Sequence, residues 1–458
     1  MIGAATSDPG HRLGLRSASL GALCFTGAAA VAAVRLWLTG TLRVDQVFLP
    51  LWQQLALGIA LGLCLLGAGL LHLRALRARA LPLRGLLPVA LLLHACAGLA
   101  LPLTSNDLFS NLAYGRLART GLDPYLVAPV ALPAADPFRS LVGDRWLETK
   151  IVYGPLVVLL DALCAGGDSV TAAVVKLKLA SLALSFAVVL AAWGLCRRRF
   201  SGDRAGPAFL FLACNPLCVW ELAGQSHNDV LVVLALVAFA WAALEGREAL
   251  AVLCLALGFY SKASVAPVLG LYLLYLARRG PLKALALALA VAALGALLLA
   301  PFWHGLGTLA APLEATVGSA GRHARSFADL LYWAAWPLGV RAQDLVMAAC
   351  RLLGGALLVA FSLRAALSVR TLEDVISRSL GFFLLYDLLA SPWFQPWYAT
   401  WLVPLAVLLG EEARDLVSRY TVWTLVQYAL PIDPVGTAVV NWLTLRRLGR
   451  GRLVEGLR

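Results

Sequence analysis

Asp107 is the ionisable residue of this chain best placed to do acid–base chemistry. It follows a long apolar run and lies in the polar sequence Thr104-Ser105-Asn106-Asp107. A carboxylate at the end of an apolar helix is partly withdrawn from water, which makes it a better acceptor for the proton of a hydroxyl group. A helix cap or an interfacial charge would also account for a lone aspartate here. The polar neighbours of Asp107 favour the functional interpretation.

A second polar cluster, His227-Asn228-Asp229, lies between two apolar runs and follows Glu221. A turn in which Asp229 caps the next helix would explain part of this pattern. However, ionisable groups cost about 2.5–3.5 kcal/mol each at the centre of a membrane and less near its surface. A simple turn does not require three such polar residues together. We therefore predict that all three contribute to substrate binding.

Basic residues at four positions could neutralise an anionic leaving group such as a phosphate, because a cation acts most strongly where the dielectric is low. They are Lys262, between two apolar half-runs, and Arg322, His323 and Arg325 in the segment 302–336. A lysine can also extend along an apolar surface to reach water, and the cluster of three could contact lipid headgroups. Both alternatives stay open from the residues alone.

Gln395 lies in a further polar and aromatic segment, residues 391–398, which contains two tryptophans and a tyrosine. Such residues are typical of the aromatic belt at a membrane surface. Stacking on a sugar or an isoprenoid is the alternative, and Gln395 would then be a substrate-binding residue.

The composition shows what kind of scaffold must hold these residues. The chain has 458 residues, of which 61% are hydrophobic and 14% are charged. Soluble proteins have about 45–50% apolar and about 25% charged residues. The sequence therefore predicts an all-α, polytopic integral membrane protein. The net charge of +13 is explained by basic loops on the cytoplasmic side, so no nucleic-acid partner is predicted.

The apolar runs predict about 12–14 transmembrane helices, with the N-terminus in the cytoplasm. Residues 17–103 form the first three spans (17–40, 51–73 and 83–103), and 104–168 form an extracytoplasmic loop with short interfacial helices. The remaining spans, within 169–445, are 169–195, 206–223, 228–244, 249–262, 264–277, 283–302, 343–363, 375–391, 397–411, 416–431 and a short one near 434–445. A basic cytoplasmic tail, 446–458, follows. This arrangement places the polar segments on the extracytoplasmic side of a cell membrane.

The sequence contains no signature of a metal or nucleotide cofactor. Its nine cysteines form no CxxC pair, and Walker A, GxGxxG and HExxH motifs do not occur. A secondary transporter or a flippase for lipid-linked sugars is the alternative to an enzyme. Transporters tend to have two related halves with sites at the midplane, whereas here the halves differ and the polar residues gather at one face.

Four motifs in order along the chain resemble the GT-C superfamily of glycosyltransferases, which use polyprenyl-phosphate sugars. They are Asp107 through Gly121-Leu122-Asp123-Pro124-Tyr125, then Tyr153-Gly154-Pro155-Leu156, Asn215-Pro216-Leu217 with Glu221, and His227-Asn228-Asp229. More narrowly they resemble bacterial α-mannosyltransferases that use polyprenol-phosphate mannose and build the α-(1→6) mannan core of lipoglycans. The resemblance covers about 100–230 and extends weakly to Trp397-Tyr398. Leu108 and Phe109 depart from it, because relatives commonly have a tyrosine near the aspartate. A second departure is that two spans precede the span leading to Asp107, where many relatives have one.

The resemblance implies a GT-C-like bundle and a reaction. Asp107 would be the general base that deprotonates the acceptor hydroxyl, and the sugar would leave the lipid phosphate at the outer face with inversion. A β-linked mannosyl donor would give an α-linked product. Enzymes that transfer arabinose, glucose or another hexose from the same kind of lipid would have similar sequence features. The implied partners are the lipid bilayer, a polyprenyl-phosphate-linked donor and a glycan or glycolipid acceptor, with no further cofactor. The predicted substrate-binding residues are Tyr125, Tyr153, His227, Asn228, Asp229, Lys262, Arg322, His323, Arg325 and Gln395.

Overall fold

The protein consists of helices and the loops that join them in the residues that the structure, a computed structural model, describes: 9–43, 49–77, 81–305, 307–308 and 323–428. The α-helices are α1 (Pro9–Thr39), α2 (Leu51–Leu76), α3 (Leu83–Gly98), α4 (Asp107–Arg119), α5 (Asp144–Leu147), α6 (Pro155–Cys164), α7 (Val170–Arg199), α8 (Ala205–Ala213), α9 (Pro216–Cys218), α10 (Asp229–Leu244), α11 (Glu248–Phe259), α12 (Ala266–Ala277), α13 (Pro281–Leu299), α14 (Phe327–Ala334), α15 (Val340–Ser368), α16 (Leu372–Leu385), α17 (Val403–Ala406) and α18 (Glu411–Thr424). Two π-helical segments, Val219–Gly224 and Tyr386–Ala390, and the 3-10 helix Pro396–Leu402 complete the site region.

Six helices in the described part of the chain are long and apolar enough to cross a membrane. They are Gly14–Thr39, Leu51–Leu76, Val170–Arg199, Gly202–Gly224, Pro281–Phe302 and Val340–Ser368. The prediction of an all-α, polytopic membrane protein is confirmed. Other predicted spans are shorter helices: α11 has 12 residues, about 18 Å, against about 30 Å of hydrocarbon.

The helices at the periphery show where lipid contacts the protein. Only 11% of the apolar window of α13 and of α15 is buried, and large apolar side chains such as Leu282 and Leu352 are exposed. The centre is formed by the π-helix Val219–Gly224, α10 and the segment 396–407, in which Trp220, Phe239 and Trp401 are buried. The contrast is that of a membrane protein, with apolar side chains both inside and on the lipid-facing surface.

The region 397–411, predicted as one span, is not one helix. It begins with the 3-10 helix Pro396–Leu402, continues in the four-residue α17 and ends in a turn at Gly410, where φ is +101°. Pro396 and Pro404 lack the N–H that a continuous helix needs. The segment is buried within the protein rather than facing lipid, which permits irregular backbone at membrane depth.

The loops predicted to be cytoplasmic gather at one end of the bundle. Arg198 lies 2.8 Å from Glu245, and Glu248 lies 3.1 Å from Arg279 and 2.6 Å from Lys283. Because Glu248 begins α11 and Arg279 follows α12, these two helices form a hairpin with Lys262 in its turn. Helix α10 runs from Asp229 at the opposite end to Leu244 beside this basic end. The short span predicted near 434–445 and the predicted cytoplasmic tail, 446–458, lie outside the described residues.

The polar region 104–168 forms short helices packed onto the rest of the bundle. Its Tyr153-Gly154-Pro155 motif docks against the turn of the α11–α12 hairpin: Gly154 donates its N–H to the carbonyl of Ser261 (2.9 Å), and Leu156 donates to that of Tyr260 (3.1 Å). A side chain at residue 154 would overlap the carbonyl oxygen of Tyr260. Glycine is therefore required for this close approach, which brings Tyr153 next to Lys262.

Candidate functional site

Asp107 opens helix α4 and directs its carboxylate toward the second polar cluster. Its backbone N–H donates to Oγ of Ser105 (3.0 Å), which fixes the start of the helix. Its Oδ2 lies 3.8 Å from Nε2 of His227, and its side chain is 14% exposed. The structure thus brings together two predicted residues that are 120 positions apart in the sequence, and it leaves the carboxylate accessible.

His227 lies between two carboxylates, those of Asp107 and Glu221. Its Nδ1 is 2.8 Å from Oε2 of Glu221, which is completely buried, and Oε1 of Glu221 accepts a hydrogen bond from the hydroxyl of Tyr428. Burial by itself lowers the pKa of the His227 imidazole, but Glu221, Asp107 and Asp229 together raise this pKa above its ordinary 6.5. These carboxylates therefore stabilise the imidazolium form of the ring beside the candidate base.

A π-helical segment and an aromatic ring hold this histidine in place. Glu221 lies in the π-helix Val219–Gly224, a local widening of the helix that is frequent at functional sites. The imidazole stacks on Trp397 with ring centroids 3.9 Å apart and an interplanar angle of 21°. Both contacts restrict the ring to one orientation toward Asp107.

Asp229 and Lys262 form a buried ion pair next to this cluster. Nζ of Lys262 lies 2.9 and 3.0 Å from the two carboxylate oxygens of Asp229, and the indole N–H of Trp401 donates to Oδ1 (2.6 Å). The ammonium group also lies 5.1–5.4 Å from the ring centroids of Tyr153, Tyr398 and Trp401. The charge of Lys262 is thus balanced by Asp229 before any ligand binds.

Gln225 joins the chain before Asp107 to the chain before His227. Its side-chain oxygen accepts from the N–H groups of Leu103 (2.8 Å) and Thr104 (2.9 Å) and from the Thr104 hydroxyl (3.0 Å). The neighbouring Asn228 is partly buried, and its Nδ2 has no hydrogen-bond partner among the described residues. Three hydrogen bonds on one oxygen fix the relative position of the two polar segments.

Tyr125 contacts Tyr153 from the side that faces away from the cavity. It is buried, packs edge-on against Phe302 with centroids 5.8 Å apart, and donates its hydroxyl to the carbonyl of Tyr153 (3.1 Å). Tyr153, in contrast, lines the central cavity. The structure therefore separates two tyrosines that sequence reasoning treated alike.

The segments around His323 and Gln395 pair with each other. Ala324 donates its N–H to the carbonyl of Pro392 (3.2 Å), and Phe394 donates to that of Ala324 (3.0 Å). Nη1 of Arg325 lies 3.5 Å from Oε1 of Gln395, and Nδ1 of His323 lies 2.5 Å from Asp329. His323, Arg325 and Gln395 adjoin the central cavity without lining it. Arg322 lies outside the described residues.

The central cavity has a volume of about 670 Å³, within the range typical of sites for small ligands. Its polar lining includes Asp107, Lys262 and Arg351, which come from three separate parts of the chain. The rest is mainly apolar or aromatic: Trp146, Val152, Tyr153, Ala263, Ala266, Pro267, Leu358, Phe382, Phe383, Tyr386, Pro392, Trp393, Trp397, Tyr398 and Trp401. A cavity of this kind suits a ligand that has both a charged and an apolar part.

Sequence reasoning missed Arg351, and it did not assign Glu221, Gln225 or Trp401 to the site. Arg351 could have been found, because it is a single arginine inside the predicted span 343–363, where a charge is costly. Trp401 could not have been distinguished from the other aromatic residues of its segment. Its contact with Asp229 depends on the irregular fold of residues 396–406.

The comparisons with known proteins point to one enzyme family. Residues 11–278 match the family model described as "Alpha-(1->6)-mannopyranosyltransferase, N-terminal domain". The alpha-(1→6)-mannopyranosyltransferase A of Mycobacterium tuberculosis is 26% identical over 374 residues, 75% of this chain and 69% of that protein. The alpha-(1→6)-mannopyranosyltransferase A of Corynebacterium glutamicum is 29% identical over 171 residues, 36% of this chain and 34% of that protein. A probable alpha-(1→6)-mannopyranosyltransferase of Mycolicibacterium smegmatis is 32% identical over 154 residues, 33% of this chain and 27% of that protein.

Proposed function

We propose a reaction for this chain. The chain belongs to the family of alpha-(1→6)-mannopyranosyltransferases and is a membrane-embedded glycosyltransferase. It moves a mannosyl group from a polyprenyl-phosphate donor to a hydroxyl group of a glycan or glycolipid acceptor. The family match favours this activity over the transport of a lipid-linked sugar. The observation that carries the proposal is the position of Asp107, an accessible carboxylate in a cavity that also contains cations and apolar walls.

Asp107 acts as the general base in this reaction. Its carboxylate takes the proton of the acceptor hydroxyl, and the acceptor oxygen forms a bond to the anomeric carbon. The bond between that carbon and the donor phosphate oxygen breaks, and its electron pair stays on the phosphate, which gains one negative charge. Attack from the side opposite the phosphate inverts the anomeric centre, so a β-linked donor gives the α-linkage that the relatives' names state.

His227 supports Asp107 through charge and position rather than by contacting the sugar. Its Nε2 lies 3.8 Å from Oδ2 of Asp107, so the imidazole faces the carboxylate that accepts the proton. Glu221 and Trp397 hold the imidazole in that orientation. We expect Asn228, whose amide is available, and Tyr153 to contact the donor or the acceptor.

The reaction takes place at the extracytoplasmic face of the cell membrane. The basic loops gather at the opposite end of the bundle, and basic loops face the cytoplasm in membrane proteins. A lipid-linked donor supplies its own leaving group, so the reaction needs no nucleotide cofactor. We expect no metal cofactor either. In support, the carboxylates of Glu221 and Asp229 are already paired with His227 and Lys262.

A panel of donors tests the proposed function. The purified protein is incubated with polyprenyl phosphates that carry mannose, glucose or arabinose, and with a nucleotide-linked mannose, in the presence of an oligomannoside acceptor. Mass analysis should find transfer from the polyprenyl-phosphate mannose and from no other donor. Preferred transfer of glucose or arabinose would contradict the sugar assignment, and transfer from the nucleotide sugar would contradict the donor class.

A further inference from the structure

Arg351 lies inside a lipid-facing helix and points away from the lipid. It is the twelfth residue of α15 (Val340–Ser368), about 16 Å from the start of that helix. Its neighbours Leu352 and Leu353 are 74% and 63% exposed, whereas Arg351 is mostly buried and lines the central cavity. Charged residues at this depth are rare and usually face a polar partner or a functional cavity.

The guanidinium group has no protein partner in the described part of the chain. Its Nε and Nη2 are shielded from solvent and make no hydrogen bond. Lys262, the other cation among the described residues that line the cavity, is paired with both carboxylate oxygens of Asp229. Leaving buried hydrogen-bond donors unsatisfied lowers the stability of a protein. The position of Arg351 therefore indicates that a ligand supplies the missing hydrogen-bond acceptors.

The surroundings of Arg351 define the chemistry of that ligand. Leu358 lies two turns further along the same side of α15, and Phe382, Phe383 and Pro267 form the neighbouring walls of the cavity. A guanidinium binds phosphate oxygens through two parallel hydrogen bonds, and the walls suit a hydrocarbon chain. A lipid phosphate has both parts, whereas a free sugar phosphate or a nucleotide lacks the apolar one.

We propose that Arg351 binds the phosphate of the lipid-linked donor, with the first isoprenoid units along Leu358, Phe382 and Pro267. This inference rests on the proposed function, because it assigns a binding residue to the same donor. When the bond to the anomeric carbon breaks, the phosphate changes from a monoanion to a dianion. Arg351 therefore stabilises the leaving group more strongly than the intact donor. Lys262, neutralised by Asp229, contributes less.

Binding of two lipids tests the proposal without relying on catalysis. Polyprenyl phosphate and the uncharged polyprenol are titrated against the full-length protein in detergent, in the wild type and in Arg351→Met, Arg351→Lys and Arg364→Gln. Arg364 is the matched control, an exposed arginine near the other end of the same helix. Arg351→Met should weaken binding of polyprenyl phosphate by about tenfold or more and leave polyprenol binding unchanged. Arg351→Lys should lose part of the affinity, because an ammonium lacks the planar fork, and Arg364→Gln should lose none.

Thermal unfolding of the ligand-free protein gives an independent measurement. Because Arg351 has no partner, Arg351→Met should keep or raise the Tm while phosphate binding falls. A lower Tm, or an equal loss of affinity for both lipids, would show that Arg351 serves packing and would overturn the proposal. Unchanged phosphate binding in Arg351→Met would also overturn it, while sugar transfer by the wild type would leave the proposed function intact. If the wild type neither binds polyprenyl phosphate nor transfers sugar from it, the proposed function itself is wrong.

Discussion

The two ends of the helical bundle both contain ion pairs, but they differ in how far the charges are removed from water. At the basic end, the side chains of Arg198 and Arg279 are 51% and 58% exposed. At the site end, those of His227 and Asp229 are 2% and 1% exposed. Exposed pairs contribute about 0–1 kcal/mol, whereas breaking a buried pair costs about 3–5 kcal/mol. The charges at the basic end are therefore largely hydrated, whereas those at the site end are held in a region that excludes most water.

The largest difference between the two ends should appear in the rate of sugar transfer. Asp107→Asn removes the proton acceptor and should lower kcat by about 10²- to 10⁴-fold, with little change in donor affinity or Tm. The control is Asp203→Asn, which makes the same chemical change at an exposed residue of the basic end and should keep the wild-type rate. Transfer by Asp107→Asn at a near-normal rate would show that another group is the base.

The second-largest difference between the two ends should appear in the free energy of unfolding. Asp229→Asn leaves the ammonium of Lys262 buried without its counter-charge, so the free energy of unfolding should fall by about 3 kcal/mol. The matched variant Glu245→Gln breaks the exposed pair with Arg198 and should cost less than about 1 kcal/mol. Denaturant unfolding in detergent measures both values. Equal losses in the two variants would mean that burial does not distinguish these pairs.

The smallest expected difference concerns pH. Because the folded protein raises the pKa of His227 above its ordinary 6.5, the imidazolium stabilises the fold fully below that value. This stabilisation is lost as the pH rises through the folded-state pKa. The Tm of the wild type should therefore fall over this range, and His227→Gln should remove that part of the pH dependence. The control variant His304→Gln replaces an imidazole that is 54% exposed and should retain the pH dependence of the wild type. A wild-type Tm that rises with pH would contradict the assignment.

The sequence predicted which polar residues lie together better than it predicted how they pair. Asp107, His227, Asp229 and Lys262 are noticeable because each interrupts apolar sequence, and the structure brings all four together. Their pairing depends on distant elements: Lys262 meets Asp229 only because the α11–α12 hairpin returns to the start of α10. Local sequence contains no information about that contact.

Two other features escaped prediction for different physical reasons. Arg351 lies inside an apolar run and not in a polar loop, although a single arginine within such a run is itself a signal. The irregular segment 396–406 was predicted as part of a span because hydropathy measures apolarity and not backbone shape. Apolar residues buried within the protein and apolar residues facing lipid have the same composition, and only the prolines distinguished this segment.

The hydrogen bonds of Gln225 have a consequence for the biosynthesis of the protein. They join Thr104 to a residue 121 positions later in the chain, and His227 follows directly. At a synthesis rate of about 5–20 residues per second, the ribosome needs about 6–24 s to add that stretch. For most of this interval the helix that begins at Asp107 is already made, but Gln225 and His227 do not yet exist. The site is thus assembled late, and a nascent chain that ends before residue 225 cannot bring Asp107 and His227 together.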